Sequence, residues 1–234
     1  MLAAEAADWH AVGMSDGGAG TDGEVRSGTA EAGSDEYGRG ISFFDAVYGF
    51  AITLLVANVD PPSPEEWRTM EGLAGSALGS QLLGLALSFA VIAVFWRVNV
   101  LMMRTLRGMD GATVGANLVA VGFILLIPFT TQGISDPVAS DLPLPTVFYA
   151  LNIAVASLAQ LVVAQVGRAR GLQRVPTTPR QNLRDVLSAL PPPVVFLASV
   201  PVALTAGAEP AKWTWAAVLV IAPVWSVAVT RVLR

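Results

Sequence analysis

The sequence predicts an all-α membrane protein with six transmembrane helices per subunit and both termini in the cytoplasm. Three observations carry that expectation. First, 53% of the 234 residues are hydrophobic and only 14% are charged, against roughly 25% charged in ordinary soluble domains. Second, the apolar residues fall into blocks of about twenty, the length that crosses ~30 Å of hydrocarbon at about 1.5 Å per helical residue. Third, the basic residues sort to one side of the segments those blocks define, as they do in polytopic membrane proteins.

The chain opens with a stretch, 1–38, rich in Gly, Ala, Ser, Asp and Glu and lacking a helical apolar face. It reads as a disordered acidic tail. It has neither the basic opening nor the continuous apolar run of a secretory signal peptide. Eight of the eighteen acidic residues lie in it, so the formal charge of −4 belongs largely to the tail. Residues 39–234 then form the membrane domain. Its six apolar segments fall near 41–59, 78–101, 113–132, 145–166, 187–206 and 213–231. The fifth is interrupted by Pro191, Pro192, Pro193 and Pro201, which membrane helices tolerate when neighbours satisfy the freed carbonyls.

The loops test this division independently. Arg26 and Arg39 precede segment one; Arg97, Arg104 and Arg107 close segment two. Arg168, Arg170, Arg174, Arg180 and Arg184 fill the connection from four to five, and Arg231 and Arg234 end segment six. Only Arg68 and Lys212 fall on the other side, so twelve of the fourteen basic residues obey six spans with both ends inside. The opposite loops are acidic or Pro-rich, as in Asp60 to Glu66. A short interfacial helix around Trp67 to Leu73 is expected there, anchored by Trp67 at the headgroup level.

Composition also excludes chemistry. With no cysteine and a single His10 in the tail, neither thiolate catalysis, a Cys-based metal site, a His-rich metal site nor a Ser-His-Asp triad can be assembled within the chain. No basic face with interleaved aromatics points to nucleic acid. The expected reading is a non-enzyme with no cofactor, whose partner is the lipid bilayer.

The most informative stretch runs from Arg39 to Val56. Asp45 stands at the mouth of an apolar helix six residues after Arg39, and an ionisable group at membrane depth is costly unless paired. It can join Arg39 in a network within or between subunits, or simply lie near the interface. Further along, Phe50, Thr53, Leu54 and Ala57 share one helical side by their spacings of three and four. That stripe can line a pore or pack on a neighbouring helix.

Here the residues resemble a known family. Arg-x-x-x-Phe-Ser-Asp-Gly followed by an apolar run ending Ile-Thr-Leu-Leu-Val is the hallmark of the transmembrane protein 175 family of endolysosomal potassium channels and their prokaryotic relatives. This chain has Arg39, Phe43, Asp45 and Ala51 to Val56 in register, and departs at Phe44 for Ser, Ala46 for Gly, Tyr48 for Phe and Phe50 for Ile. Trp96 with Asn99, and Asn117 with the Leu126-Ile127-Pro128-Phe129-Thr130-Thr131 run, are similar to that family's second and third helices. The resemblance covers residues 39 to about 131 well and the rest by helix count.

The resemblance implies a homotetramer in the plasma membrane, with four copies of helix one around a central pore and potassium as the permeant ion. It implies a hydrophobic constriction at Phe50, with Thr53, Leu54 and Ala57 extending the pore face. Arg39, Phe43, Asp45, Trp96, Asn99 and Asn117 would form the motif network behind it. The residues agree in part, since the chain has neither a Thr-Val-Gly-Tyr-Gly carbonyl filter nor a helix with Arg at every third position. The leading expectation is a potassium-selective leak-type channel; the alternative is a non-conducting scaffold or assembly protein that keeps the fold.

Overall fold

The structure, a computed structural model, describes residues 28–232; most of the acidic tail, Arg26 and Arg234 lie outside the described residues. The tail's expected end at 38 falls inside an ordered segment. A short strand, β1 (Thr29–Glu31), precedes helix α1 (Asp35–Ala57), which starts six residues ahead of its apolar block. Local capping explains the early start. The Ser34 hydroxyl accepts from the Tyr37 N–H at 3.2 Å, and Asp35 and Glu36 place negative charge at the positive end of the helix dipole.

After α1 the chain makes one 3-10 turn at Glu66–Arg68 and the short helix α2 (Met70–Gly75). These occupy the expected place of the interfacial helix, with Trp67 and Met70 exposed. Helix α3 (Leu78–Arg104) leads into strand β2 (Gly108–Asp110) and then α4 (Gly111–Leu125) and α5 (Ile127–Ser135). The third apolar segment is thus one span broken at Leu126. Pro128 explains the break, because it has no N–H to offer the Ile124 carbonyl and its ring crowds that turn.

Helix α6 (Pro143–Ala169) is followed by the short α7 (Pro179–Ser188) and by α8 (Pro191–Ala206). Pro191 to Pro193 open α8 rather than interrupt it, in the first turn, where a missing N–H costs nothing; only Pro201 lies inside. The chain ends in α9 (Ala208–Ala216) and α10 (Val218–Val232), which meet at 41°. Five stretches are long and apolar enough to cross a membrane, and the α9–α10 pair counts as a sixth if taken as one bent span. The chain is a multi-pass membrane protein, as its composition required.

Helix α6 is the hub. Its buried side chains, among them Tyr149, Ala150, Ile153, Ala154, Ala156 and Val163, pack against α4, α5 and α8. Polar groups inside the bundle mostly pair with one another, as they must where no bulk water can solvate them. Thr131 donates to Ser88 at 2.7 Å, Ser88 lies 3.2 Å from the Tyr149 hydroxyl, and Trp215 donates to Ser199 at 2.9 Å. Gly84 lets α3 and α5 approach, since a Cβ there would sit 2.8 Å from that of Ser135.

One end of the bundle gathers the arginines. Strand β1 pairs antiparallel with β2, Thr29 opposite Asp110, and the Ala32 N–H donates to the Arg107 carbonyl at 2.7 Å. From the other side the loop after α6 bonds the same segment: the Arg107 N–H donates to Leu172, and the Arg174 N–H to Thr105. Three separate pieces of chain are therefore stitched together at the start of α1. At the far end the Asn58 amide donates to the Pro128 carbonyl and the Asp60 N–H to the Gln81 side chain.

Candidate pore helix and its polar partners

Helix α1 has two unlike sides. Phe44, Tyr48, Ala51 and Leu55, spaced by three and four, are buried to 2% exposure or less against the rest of the subunit. Phe43 and Phe50 stand 53% and 58% exposed on the other side, with Arg39, Thr53 and Ala57 also exposed. At about 100° per residue these five project within a narrow arc. Leu54 is only half-buried. It lies on the edge of the arc nearest the packed side, so it belongs less fully to the stripe than its spacing suggests. The Thr53 hydroxyl donates to the Phe50 carbonyl at 2.8 Å, leaving its oxygen lone pairs outward.

The departures from the motif have local reasons. Phe44, where a Ser was expected, is a core side chain packed edge-on to Phe43, with ring centroids 5.7 Å apart. Tyr48 in place of Phe adds a hydroxyl deep in the bundle, and the Gln160 amide of α6 donates to it at 2.6 Å. A Tyr there needs a polar partner, and Gln160 of α6 supplies it. Gln160 is the residue the sequence reading missed, although an amide within an apolar helix was its visible signal.

Asp45 and Arg39 do not pair within the chain. Six residues on a helix turn through about 240° and rise ~9 Å, which puts Arg39 on the exposed stripe and Asp45 on its flank. Asp45 instead accepts from the Trp96 indole N–H of α3 at 2.8 Å. One turn further along α3, the Asn99 amide donates to the Asn117 oxygen of α4 at 2.8 Å, with both residues buried. The six motif residues thus split. Trp96 and Asn99 tie α3 to α1 and to α4, while Arg39 and Phe43 remain uncovered. The Asn117 amide nitrogen and the Gln160 oxygen have no partner among the described residues.

Just beyond this layer, Asp110 caps α4. Its carboxylate accepts from the Thr113 N–H at 2.9 Å and the Thr113 hydroxyl at 2.8 Å, and it pairs with Arg170 at the end of α6. Burial pushes this carboxyl up, but the Thr113 and Arg170 bonds outweigh burial and hold it below the ordinary carboxylate range.

All ten candidate residues lie within one stretch that has relatives. Residues 39–128 match the family described as the endosomal/lysosomal potassium channel TMEM175. Across that stretch the chain is similar to that family. A potassium channel of Chryseobacterium sp. (strain P1-3) is 22% identical over 129 residues, 55% of this chain and 64% of the relative, so the match spans a little under two thirds of that protein. The crystal structure of a lysosomal potassium-selective channel TMEM175 homolog from Chamaesiphon Minutus superposes with a TM-score of 0.62 at 19% identity, over 84% of this chain and 99% of that one. The likeness of fold therefore reaches well beyond residue 128, where the motif residues gave no guide.

Proposed function

We propose that the chain is the subunit of a potassium-permeable, leak-type channel of the plasma membrane, in which four copies set α1 around a common axis. The exposed stripe of α1 carries this reading: Phe43, Phe50, Thr53 and Ala57 form a mostly apolar face that their own subunit leaves bare, on a helix whose other side is fully packed. The potassium-channel family that residues 39–128 resemble, and the potassium channels among the similar proteins, support potassium as the ion. In such a ring Phe50 is the narrowest point. Four apolar side chains close a passage by expelling water, because an ion cannot shed its hydration shell there cheaply. Arg39, on the same stripe near the Arg-rich end, would face the mouth and can meet Asp45 of a neighbouring copy.

Potassium flux into liposomes tests the gate. Phe50→Ala should raise flux several-fold over the parent, and Phe50→Ile should lie between the two, while both keep the thermal stability of the parent. The bulk of Phe50 favours a second reading, a non-conducting scaffold with the same fold. Background flux from the parent and from both variants would select it.

A further inference from the structure

We propose that α7 and the arginines around it form a binding site for anionic lipid headgroups at the membrane surface. Helix α7 is amphipathic in a particular way. Leu183, Val186 and Leu187 share one side, Arg180 and Arg184 line one flank of it, and Asn182 on the other flank exchanges two hydrogen bonds with Gln165 of α6, both at 3.1 Å. That exchange, and the bond from the Trp225 indole of α10 to the Leu187 carbonyl at 2.8 Å, fix how the helix is rolled against the bundle. Its apolar side is not used up by packing: no residue of α7 is buried, Leu183 is 48% exposed, and Val175 just before it is 77% exposed.

The charges on this connection are unequal in availability. Arg170 is held by Asp110, and Arg168 donates to the Thr177 hydroxyl and carbonyl. Arg180 has no acidic partner among the described residues, and Arg184 has only an exposed contact of 3.4 Å with its neighbour Asp185. Two guanidinium groups therefore stand free beside a half-exposed apolar ridge. A lipid with an anionic headgroup satisfies both at once, its phosphate on the forked donors and its acyl chains along Leu183. The adjoining surface fits the same occupant, since α10 next to it exposes Leu219, Val220 and Val224. A soluble anion would leave the apolar ridge uncovered. The proposal rests on the bundle lying in a membrane and not on conduction, so a failed flux assay leaves it standing.

The test is native mass spectrometry of protein extracted from nanodiscs of phosphatidylcholine doped with phosphatidylglycerol. The parent and Arg68→Gln, which removes a charge from the opposite end, should retain phosphatidylglycerol in preference to phosphatidylcholine. The Arg180→Gln/Arg184→Gln double variant should lose roughly tenfold of that preference, and Arg180→Lys/Arg184→Lys should keep most of it. Raising salt should weaken retention by the parent, a readout that survives even if the double variant fails to fold. Equal retention by the glutamine variant, an equal loss of both lipids, or retention indifferent to salt would overturn the proposal.

Discussion

Asn99 and Asn117 illustrate what single residues do in this bundle. Their 2.8 Å bond joins α3 to α4 where no water competes, yet interhelical bonds of this kind average only ~0.6 kcal/mol and reach ~1.7 kcal/mol. A double-mutant cycle of Asn99→Ala and Asn117→Ala, read by thermal unfolding in detergent, should give a coupling within that range. Asp110 gives a pH prediction. Its folded pKa lies below the unfolded value, so its contribution is complete above the ordinary carboxylate range, near about 4, and is lost as pH falls through the lower folded value. Asp110→Asn should flatten the acid side of the stability profile and lower stability at neutral pH. The polar residues were legible because each interrupts an apolar run. Their partners were not, because a helix period gives the direction a side chain takes and not which neighbouring helix waits there. Asp45 shows the difference, having met Trp96 where Arg39 was the nearer charge in sequence.

Among the elements, hydropathy marks α1 as an apolar helix but draws its start near 41. The cap at Ser34 and the acids after it set the true start. Conversely, the prolines of the fifth segment looked like interruptions, whereas three of them open α8. Amphipathic α7 escaped the reading altogether, since its ten residues are too polar to register as a membrane segment. Close contact between α3 and α5 offers the test at this scale. Gly84→Leu drives a side chain into Ser135 and should cost about 1–3 kcal/mol, seen as a lower unfolding midpoint. Gly79→Leu, with open space around its Cβ, should cost little.

At the scale of the whole molecule, charge and length alone point to six spans, because the bilayer fixes how long an apolar helix must be, and the structure has five, or six with α9–α10 as one bent span. The arginines that were sorted by sequence do collect at one end, where α1 begins, α3 ends and α6 ends. Which copies meet is a different matter, since the proposed interface would lie on exposed residues such as Phe43 and Phe50 that look the same to lipid as to protein. Mass measurement in detergent should give four subunits, and disulfides formed between copies of Ala57→Cys should yield dimers on denaturing gels. A monodisperse monomer would end the pore reading of α1.

The pairing of β1 with β2 also sets an order of events at the ribosome. Thr29–Glu31 is made first, but its partner Gly108–Asp110 is synthesised only after α1 and α3, and the loop that bonds the segment next to β2 from the other side follows α6. Strand β1 must therefore wait without its partner until α1 and α3 have been made before it can dock. Gly108 is where this late step is most easily blocked: a Cβ there would lie 2.7 Å from the Ala30 carbonyl oxygen. Gly108→Val should leave the membrane insertion of stalled chains unchanged while keeping residues 28–34 open to protease at every chain length.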